Sequence, residues 1–296
     1  MTSFVTAPAI IGNEHWVSRD GHRLHVWEKC LANRDLEPSS SEKVTLLVHG
    51  GTYSGQTDYD LQVPGNDYSL MDHLAGQGHD VFTFAVWGYG KSDRPRDGFQ
   101  VTTESAVQDA AAVIEAICQM RGIDSVNILG WSWGGRISSI YAGRNRNRAR
   151  RLVLYAGGAG YPSSADEPPP TDSWRTITRE NIVARIEQDL VIPDAQEAFI
   201  EAALAWDVKA PNGARLESVE KGTAVLAVPE EISTPTLIIY GARDGAYDAH
   251  QVADFFARLD TGDKELMLLP DSGHFLFLQK RRMRFFKAVA EFFNQS

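Results

Sequence analysis

A serine flanked by glycines is the residue whose surroundings favour chemistry most clearly. The run Gly130-Trp131-Ser132-Trp133-Gly134 stands between residues that predict a strand and residues that predict a helix. A tight turn from strand to helix strains the backbone of its central residue and leaves room only for small residues two positions away. Such a turn raises the Ser132 hydroxyl above the sheet, at the positive end of the following helix, where it can attack a substrate. The motif alone leaves a glycine-rich turn with an incidental serine as the alternative.

A base and an acid follow the serine along the chain. A serine hydroxyl needs a base to take its proton, and His274, just after the last predicted strand, is the one of eight histidines placed late in the sheet order. An imidazole in turn needs a carboxylate that fixes its tautomer and stabilises its cation. Asp244 directly follows the preceding strand, with Asp248 and Asp271 as alternatives, although a loop aspartate can also simply cap a helix. The three residue types together predict a serine–aspartate–histidine triad.

The elements that must position these residues alternate between strands and helices, which is typical of a parallel sheet covered by helices. The predicted strands are 14–19, 23–28, 44–48, 81–86, 125–129, 151–155, 236–240 and 265–269. The first two form an antiparallel hairpin with Asp20-Gly21 at its turn. Helices are predicted from about Thr103 to Met120 and from about Leu278 to Phe293. In open α/β sheets the chemistry lies at the carboxyl ends of the strands.

The pattern changes between about Gly157 and Glu231, where no good strand is predicted. Two apolar helix faces are expected in this stretch, and they comprise Ile182, Val183, Ile186 and Leu190 on one helix and Ala198, Phe199, Ala202 and Trp206 on another. We interpret the stretch as an insertion into the sheet domain. The sequence therefore predicts a core domain of residues 1–157 and 232–296 and a helical cap of residues 158–231.

The composition limits the partners that the protein can bind. A formal net charge of −10 disfavours a surface that binds nucleic-acid phosphates. No apolar run is long enough to cross a bilayer, and the N-terminus lacks the pattern of a signal peptide. The sequence therefore predicts a cytoplasmic protein that binds a small molecule and neither nucleic acid nor membrane. It leaves the oligomeric state open, a homo-oligomer included.

Residues that commonly hold metals or cofactors do not form a recognisable pattern. Two cysteines, Cys30 and Cys118, are too few for a disulfide framework or a cysteine-ligated metal site. His22 and His25 are three apart in a predicted strand, so they face opposite sides of the sheet. The sequence has no H-E-x-x-H motif, and no G-x-G-x-x-G motif follows the first strand of a βαβ unit. No metal and no cofactor is therefore predicted.

Five short motifs, in the same order along the chain, resemble those of the α/β-hydrolase superfamily. They are His49-Gly50-Gly51, Gly88-Tyr89-Gly90-Lys91-Ser92, the Gly130–Gly134 run, Gly241-Ala242-Arg243-Asp244 and Gly273-His274-Phe275. The order serine, aspartate, histidine is also that of the superfamily. The resemblance, which extends from about His22 to the C-terminus, implies an α/β-hydrolase fold: a mostly parallel sheet with helices on both faces and a helical cap insertion. It implies Ser132, Asp244 and His274 as the catalytic residues.

The resemblance also implies an oxyanion hole, in which two N–H groups bind the oxygen of a tetrahedral intermediate. In such enzymes one donor follows the nucleophile, which here is Trp133. The other follows the His-Gly pair after an early strand, which here is Gly51, with Thr52 as a second candidate. His49 usually supports the loop structurally in this superfamily, so we assign it no catalytic role.

One departure from the superfamily's pattern bears on the predicted pocket. Relatives often carry Asp-x-Arg where this chain has Ala85 and Trp87, so a polar network that supports the loop in relatives is expected to be missing. Aromatic residues cluster near the predicted catalytic loops and favour an apolar, aromatic-lined pocket, with ordinary packing as the alternative for at least half of them. The predicted substrate-binding residues are Thr52, Tyr53, Trp87, Trp131 and Phe275.

The resemblance implies a serine hydrolase and leaves three functions open, since fold does not fix the reaction. The first is a carboxylesterase that cleaves an ester or lactone of a small hydrophobic or aromatic molecule through an acyl-enzyme. The second is a C–C bond hydrolase of a diketone, similar to aromatic ring-fission enzymes, although these often carry tryptophan where this chain has Phe275. The third is a non-catalytic ligand-binding relative, against which the complete triad counts.

Overall fold

A mostly parallel sheet runs through the protein in the computed structural model, which describes residues 9–34, 40–159, 168–222 and 226–295. The strands of these ranges are β1 (Ile10–Arg19), β2 (His22–Leu31), β3 (Val44–Val48), β4 (Asp80–Phe84), β5 (Val126–Trp131), β6 (Ala149–Tyr155), β7 (Trp174–Thr176), β8 (Lys209–Pro211), β9 (Thr236–Gly241) and β10 (Lys264–Leu269). The large sheet has the order β1-β2-β4-β3-β5-β6-β9-β10. In this sheet β2 pairs antiparallel with β1 and β4, and the other neighbouring strands are parallel. The sheet is therefore mostly parallel, and the predicted fold class is confirmed.

Helices cover this sheet. Those of the described ranges are α1 (Gly55–Tyr59), α2 (Leu70–Ala75), α3 (Thr103–Arg121), α4 (Trp133–Arg144), α5 (Arg179–Arg185), α6 (Pro193–Trp206), α7 (Gly213–Glu220), α8 (Ala249–Arg258) and α9 (Arg282–Phe293). α3 packs against α4, and α2 packs against α9. Every residue of β3, β4 and β5 is buried, which requires cover on both faces of the sheet. In these ranges no helix combines the length and the apolar character that a bilayer crossing requires.

The parallel strands end at one edge of the sheet, and the loops that follow them carry the predicted catalytic residues. β5 ends one residue before Ser132, β9 ends three residues before Asp244, and β10 ends five residues before His274. β3 and β5 are neighbours, as are β6 and β9. The loops after the strands therefore meet at the carboxyl edge, where open α/β sheets place their sites.

Local signals in the sequence fix several element ends. Asp20 and Gly21 have φ values of 47° and 84°, as the two central residues of a type I′ hairpin turn require. α3 begins with a capping box between Thr102 and Ser105 and ends at Gly122, which has left-handed backbone. The predicted start of the terminal helix is four residues early, because a 3₁₀ turn over Leu276–Leu278 and an extended residue precede α9.

The stretch between β6 and β9 contains α5 and α6, where the sequence predicts two helices, and α7, which it does not predict. It also contains β7 and β8, which pair in a separate antiparallel sheet and escape prediction because each is only three residues long. α5 ends at Arg185, since Ile186 has extended backbone, so the predicted helix face does not continue to Leu190. The cap boundaries at 158 and 231 stay a prediction, because residues 160–167 and 223–225 lie outside the described ranges. We call residues 168–222 the cap.

Candidate active site

The turn between β5 and α4 presents Ser132 at the sheet edge. Ser132 has φ 55° and ψ −115°, a strained conformation for a residue with a side chain. A Cβ atom at Gly130 would lie 2.2 Å from the Gly134 carbonyl oxygen, and one at Gly134 would lie 2.1 Å from the Val48 carbonyl oxygen. Only glycine fits at these two positions, which is the steric requirement that the sequence motif suggests.

A third glycine, which the sequence analysis did not single out, packs against the same turn. Gly157 follows β6, and a Cβ atom there would lie 2.2 Å from the Ser132 carbonyl oxygen and 2.6 Å from the Ser132 Cα. The atoms nearest to it belong to the Ser132 backbone, so a larger residue would have to displace the turn itself. In the sequence, only its position two residues after a predicted strand could have indicated this role for Gly157.

The structure brings the side chains of the predicted triad together. His274 Nε2 lies 3.1 Å from Ser132 Oγ, and His274 Nδ1 lies 3.0 Å from each carboxylate oxygen of Asp244. The Asp244 side chain is buried, with 1% of its surface exposed, whereas that of His274 is 19% exposed. If Nδ1–H donates to Asp244, Nε2 is free to accept the Ser132 proton, which is the arrangement that a serine nucleophile needs.

The two alternative acids have other partners. Asp248 caps α8, where its side chain accepts hydrogen bonds from the backbone N–H groups of His250 and Gln251. Asp271 is exposed and pairs with Arg281 at 3.1 Å. Asp244 is therefore the acid that the geometry supports, and the choice required the structure because all three lie on nearby loops.

The backbone of His274 is held from the side of the sheet. Its carbonyl oxygen accepts hydrogen bonds from Tyr155 Oη at 2.7 Å and from Trp131 Nε1 at 3.0 Å. Burial raises the pKa of Tyr155 well above its ordinary value, so the phenol remains a donor at neutral pH. Tyr155 was not predicted as a site residue, and Trp131 was predicted to bind substrate. Both lie behind the histidine and fix the loop that carries it.

The predicted oxyanion donors Gly51 and Trp133 lie side by side beside Ser132. A Cβ atom at Gly51 would be 3.5 Å from Trp133 Cβ, and the three residues line one cavity. Trp133 is the first residue of α4, so its N–H has no acceptor within the helix. The Gly51 carbonyl oxygen accepts hydrogen bonds from Tyr89 Oη at 3.1 Å and from the Arg175 guanidinium, which fixes the following peptide, whose N–H belongs to Thr52.

His49 supports the same loop from below. Its Nδ1 donates to the Gly50 carbonyl oxygen at 2.7 Å, and its Nε2 accepts from the Val86 backbone N–H at 3.0 Å. Burial lowers the pKa of His49 to about 4, so the ring is neutral and can both donate and accept. These contacts are those of a structural residue, in agreement with the role that the resemblance implies.

Asp109 provides a polar network at the departure from the superfamily's pattern. This buried carboxylate on α3 accepts hydrogen bonds from the Trp87 backbone N–H at 2.9 Å and from Arg19 Nε at 2.6 Å. The Trp87 ring stacks on His22, with ring centroids 4.6 Å apart. The loop is therefore held by an aspartate from another element, and Trp87 faces away from the cavity at Ser132.

A cavity of about 290 Å³ opens in front of Ser132, and four arginines line it, namely Arg136, Arg175, Arg185 and Arg215. This volume is at the lower end for small-molecule sites. Arg136 lies one helical turn after the serine on α4, and the other three come from the cap. Of the predicted substrate-binding residues, Thr52 lines the cavity.

The other four predicted substrate-binding residues do not line it, and the expectation of an aromatic pocket needs correction. Tyr53, Trp131 and Phe275 are each at most 2% exposed. They pack with one another and with Phe199 and Phe277 behind the catalytic loops, with ring centroids 4.8 to 6.5 Å apart. Trp87 lies at a separate surface depression. The clustered aromatic residues belong to the hydrophobic core. Packing against neighbouring aromatic rings stabilises them there, and they do not line the pocket.

The cap arginines bind neutral oxygen atoms at the oxyanion loop. Arg175 donates to the Pro211 carbonyl oxygen at 2.6 Å and to Asn212 Oδ1 at 3.0 Å, in addition to its contact with Gly51. Arg185 donates to Thr52 Oγ1 at 2.9 Å. Burial, together with the positive charges of Arg185 and Arg215, lowers the pKa of Arg175. The guanidinium groups of Arg175 and Arg185 form no ion pair with a carboxylate of the described ranges, so these two side chains bring positive charge to the cavity wall.

Comparisons with known proteins agree with this architecture. The chain matches the family described as serine aminopeptidase, S33, over residues 65–281. A 2-hydroxy-6-oxononadienedioate/2-hydroxy-6-oxononatrienedioate hydrolase of Paraburkholderia phymatum is 26% identical over 262 residues, which cover 79% of each chain. Solved structures that resemble it include a meta-cleavage product hydrolase from Pseudomonas fluorescens (TM-score 0.67, 18% identity, 95% and 97% of the two chains covered) and an esterase from Exiguobacterium antarcticum (TM-score 0.67, 19% identity, 96% and 100% covered). Because the family match spans most of its length, the chain belongs to the serine aminopeptidase S33 family of the α/β-hydrolase superfamily.

Proposed function

We propose that the protein is a serine hydrolase that cleaves a bond beside a carbonyl group in a small, carboxylate-bearing molecule, with a carboxylic ester as the first candidate. The observation that carries this proposal is the connected path from Asp244 through His274 to Ser132, which opens into an arginine-lined cavity. An intact path of this kind counts against a non-catalytic ligand-binding relative. A carboxylate substrate replaces the hydrophobic one that the sequence suggested.

The proposed reaction uses each of these residues in turn. Ser132 Oγ attacks the carbonyl carbon while its proton passes to His274 Nε2, and Asp244 stabilises the resulting imidazolium. The backbone N–H groups of Gly51 and Trp133 bind the negative oxygen of the tetrahedral intermediate. His274 then gives the proton to the leaving group, and an acyl-enzyme remains on Ser132. Water, deprotonated by His274, releases the acyl group and restores the serine.

The charge of the cavity supports a carboxylate on the substrate. The protein as a whole has a formal net charge of −10, yet four guanidinium groups converge beside the serine. A positive charge that is partly removed from water is unfavourable unless an anion or good acceptors offset it. This condition applies to the partly buried Arg175, whereas Arg185 is exposed. Since the described partners of both side chains are neutral oxygens, a carboxylate would add the charge-assisted hydrogen bonds that arginine favours.

A C–C bond hydrolase of a diketone is the second candidate function. The relative from Paraburkholderia phymatum is named for a dienedioate, which carries two carboxylates, and the arginines of this cavity suit such a substrate. The same triad can serve this reaction, in which the leaving group is a carbon atom that takes up a proton. Phe275, where ring-fission enzymes often carry tryptophan, is buried behind His274 and does not line the cavity.

Paired substrates test the proposal. We would measure kcat/KM for a 4-nitrophenyl ester with a terminal carboxylate on its acyl chain, for the neutral ester of equal length, and for a 2-hydroxy-6-oxodienoate. We expect wild type to prefer the carboxylated ester by about tenfold or more, since one charge-assisted contact contributes on that order. The variant Arg215→Met should lower kcat/KM for the carboxylated ester by about tenfold and for the neutral ester by less than about twofold.

The controls separate the two parts of this proposal. Arg284→Met removes an exposed arginine on α9 that does not line the cavity, and should leave all three rates unchanged. A wild-type preference for the neutral ester would contradict the carboxylate substrate and leave the serine hydrolase in place. Faster cleavage of the dienoate than of both esters would make the C–C hydrolase the better assignment.

A further inference from the structure

Two side chains bind the backbone N–H groups of the histidine loop. Glu187, in the cap, accepts a hydrogen bond from the His274 backbone N–H at 2.8 Å. Gln279 accepts one from the Gly273 backbone N–H through Oε1 at 3.0 Å, and its Nε2 donates to Glu187 Oε2 at 2.9 Å. The three hydrogen bonds close a ring with the two peptide groups, which we call the Glu187–Gln279 brace.

The brace fits the loop closely. Gln279 is 1% exposed and Glu187 is half-buried. A Cβ atom at Gly273 would lie 2.1 Å from Glu187 Oε1, so the carboxylate occupies the space that a side chain would take. A side chain at position 273 would therefore displace the Glu187 carboxylate from the loop.

The cap contacts the loop of the predicted acid through the same segment. Asp189, two residues after Glu187, forms a bidentate pair with Arg243, which precedes Asp244. Lys280 donates its backbone N–H to the Leu190 carbonyl oxygen at 2.8 Å. The stretch from Glu187 to Leu190 thus touches both loops that carry the base and the acid, whereas it does not line the cavity at Ser132.

We propose that Glu187 is a positioning residue, through which the cap holds the His274 ring in line with Ser132. This inference rests on the proposed function. The carbonyl side of His274 is fixed by Tyr155 and Trp131, and the brace fixes its N–H side. With both peptide groups held, the imidazole is left with only its own side-chain torsions, and small errors in its position lower the rate of proton transfer.

The donors and acceptors of the brace allow a swap experiment. In Glu187→Gln, the amide oxygen can accept from His274, but its NH₂ group then faces the NH₂ group of Gln279, so one hydrogen bond is lost. In Gln279→Glu, two carboxylates face each other without a donor. In the double variant E187Q/Q279E the amide at 187 donates to the carboxylate at 279, and all three hydrogen bonds can form again.

The measurement is the rate at which a small, neutral fluorophosphonate modifies Ser132, which does not require the natural substrate to be known. We expect about a tenfold slower rate in E187Q and in Q279E, and a return to within about threefold of wild type in E187Q/Q279E. With the esters described above, E187Q should lower kcat and leave KM within about twofold, because Glu187 does not line the cavity. Glu201→Gln makes the same change on the exposed face of α6 and should react at the wild-type rate.

Thermal unfolding of each variant separates positioning from loss of the fold. A wild-type rate in folded E187Q would overturn the proposal, and so would a folded double variant that stays as slow as E187Q. If E187Q does not fold, Glu187→Asp, which keeps the charge but shortens the reach, should be slower than wild type, and full reactivity there would equally contradict the role. If the fluorophosphonate does not label Ser132 in wild type, the proposed function itself is wrong. This outcome is distinguishable from the failure of the positioning role, in which wild type is labelled.

Discussion

Buried histidines in this protein are neutral structural residues, which has a consequence for its stability in acid. His79 lies between Thr45 Oγ1 and Asn294 Oδ1, each 3.2 Å from a ring nitrogen. Burial, reinforced by the positive charges of Lys43 and Arg150, lowers the pKa of His79 to about 4. The unfolded chain therefore takes up this proton as the pH falls below about 6.5, whereas the folded chain does so only near pH 4.

The sign of the effect follows from this difference in proton uptake. The free energy of unfolding should decrease as the pH falls from about 6.5 to 4, because protons bind to the unfolded state first. Between pH 7 and pH 4.5, the unfolding free energy of His79→Asn should decrease by about 2 kcal/mol less than that of wild type. Urea unfolding at the two pH values measures it, with the exposed His250→Asn as the control for removing an imidazole. An equal decrease in H79N and wild type would contradict the burial argument.

At the residue scale, the sequence predicted the side chains that meet in the triad, since Ser132, Asp244 and His274 each follow a recognisable strand. The arginines of the cavity were not predicted. Arg136, Arg175, Arg185 and Arg215 come from separate elements, and neither spacing nor the overall net charge of −10 indicates that they converge. The aromatic residues were misplaced for a related reason: proximity along the chain to a catalytic loop does not distinguish a pocket wall from the core behind it.

At the element scale, the tight contact between β6 and the nucleophile turn can be tested. Gly157→Ala places a methyl group on the Ser132 backbone, so either the turn or the end of β6 must shift. Overpacking of this kind typically costs about 1–3 kcal/mol, and a displaced nucleophile should lower kcat about 100-fold. Gly262→Ala, where a Cβ atom would meet nothing within 4 Å, is the matched control. Chemical unfolding and steady-state kinetics measure the two effects. Wild-type activity in G157A would show that this contact does not constrain the turn that carries Ser132.

Elements were predictable where the signal was local. The span Val44–Val48 agrees with the structure, and α3 ends at Arg121, one residue after its predicted end, because apolar runs and the left-handed Gly122 act on their own residues. β7 and β8 were missed, since three residues carry no periodicity and each strand exists only through pairing with the other. α5 ends before Ile186 although the apolar spacing continues, because Leu190 is buried by a turn rather than by a helix.

At the scale of the whole molecule, carboxylate and guanidinium groups join the cap to the loops that follow β3 and β4. Asp207, fully buried at the end of α6, accepts hydrogen bonds from the Ser54 backbone N–H at 2.8 Å and from the Gly90 backbone N–H at 2.9 Å. Arg175 and Arg185 bind the Gly51–Thr52 segment. None of these long-range pairs is visible in a single sequence, because each joins residues more than 100 positions apart. The cap therefore contributes to the geometry of the site as well as to the cavity.

The most direct test of the account is to trap the acyl-enzyme. Wild-type protein mixed with the carboxylated 4-nitrophenyl ester and quenched in acid within milliseconds should gain the mass of one acyl group, located on Ser132 by peptide mass spectrometry. Ser132→Ala should gain none and should lose about 10³-fold or more in kcat while remaining folded. Turnover of S132A within a few-fold of wild type, or an acyl group on a different residue, would contradict the assignment of Ser132 as the nucleophile.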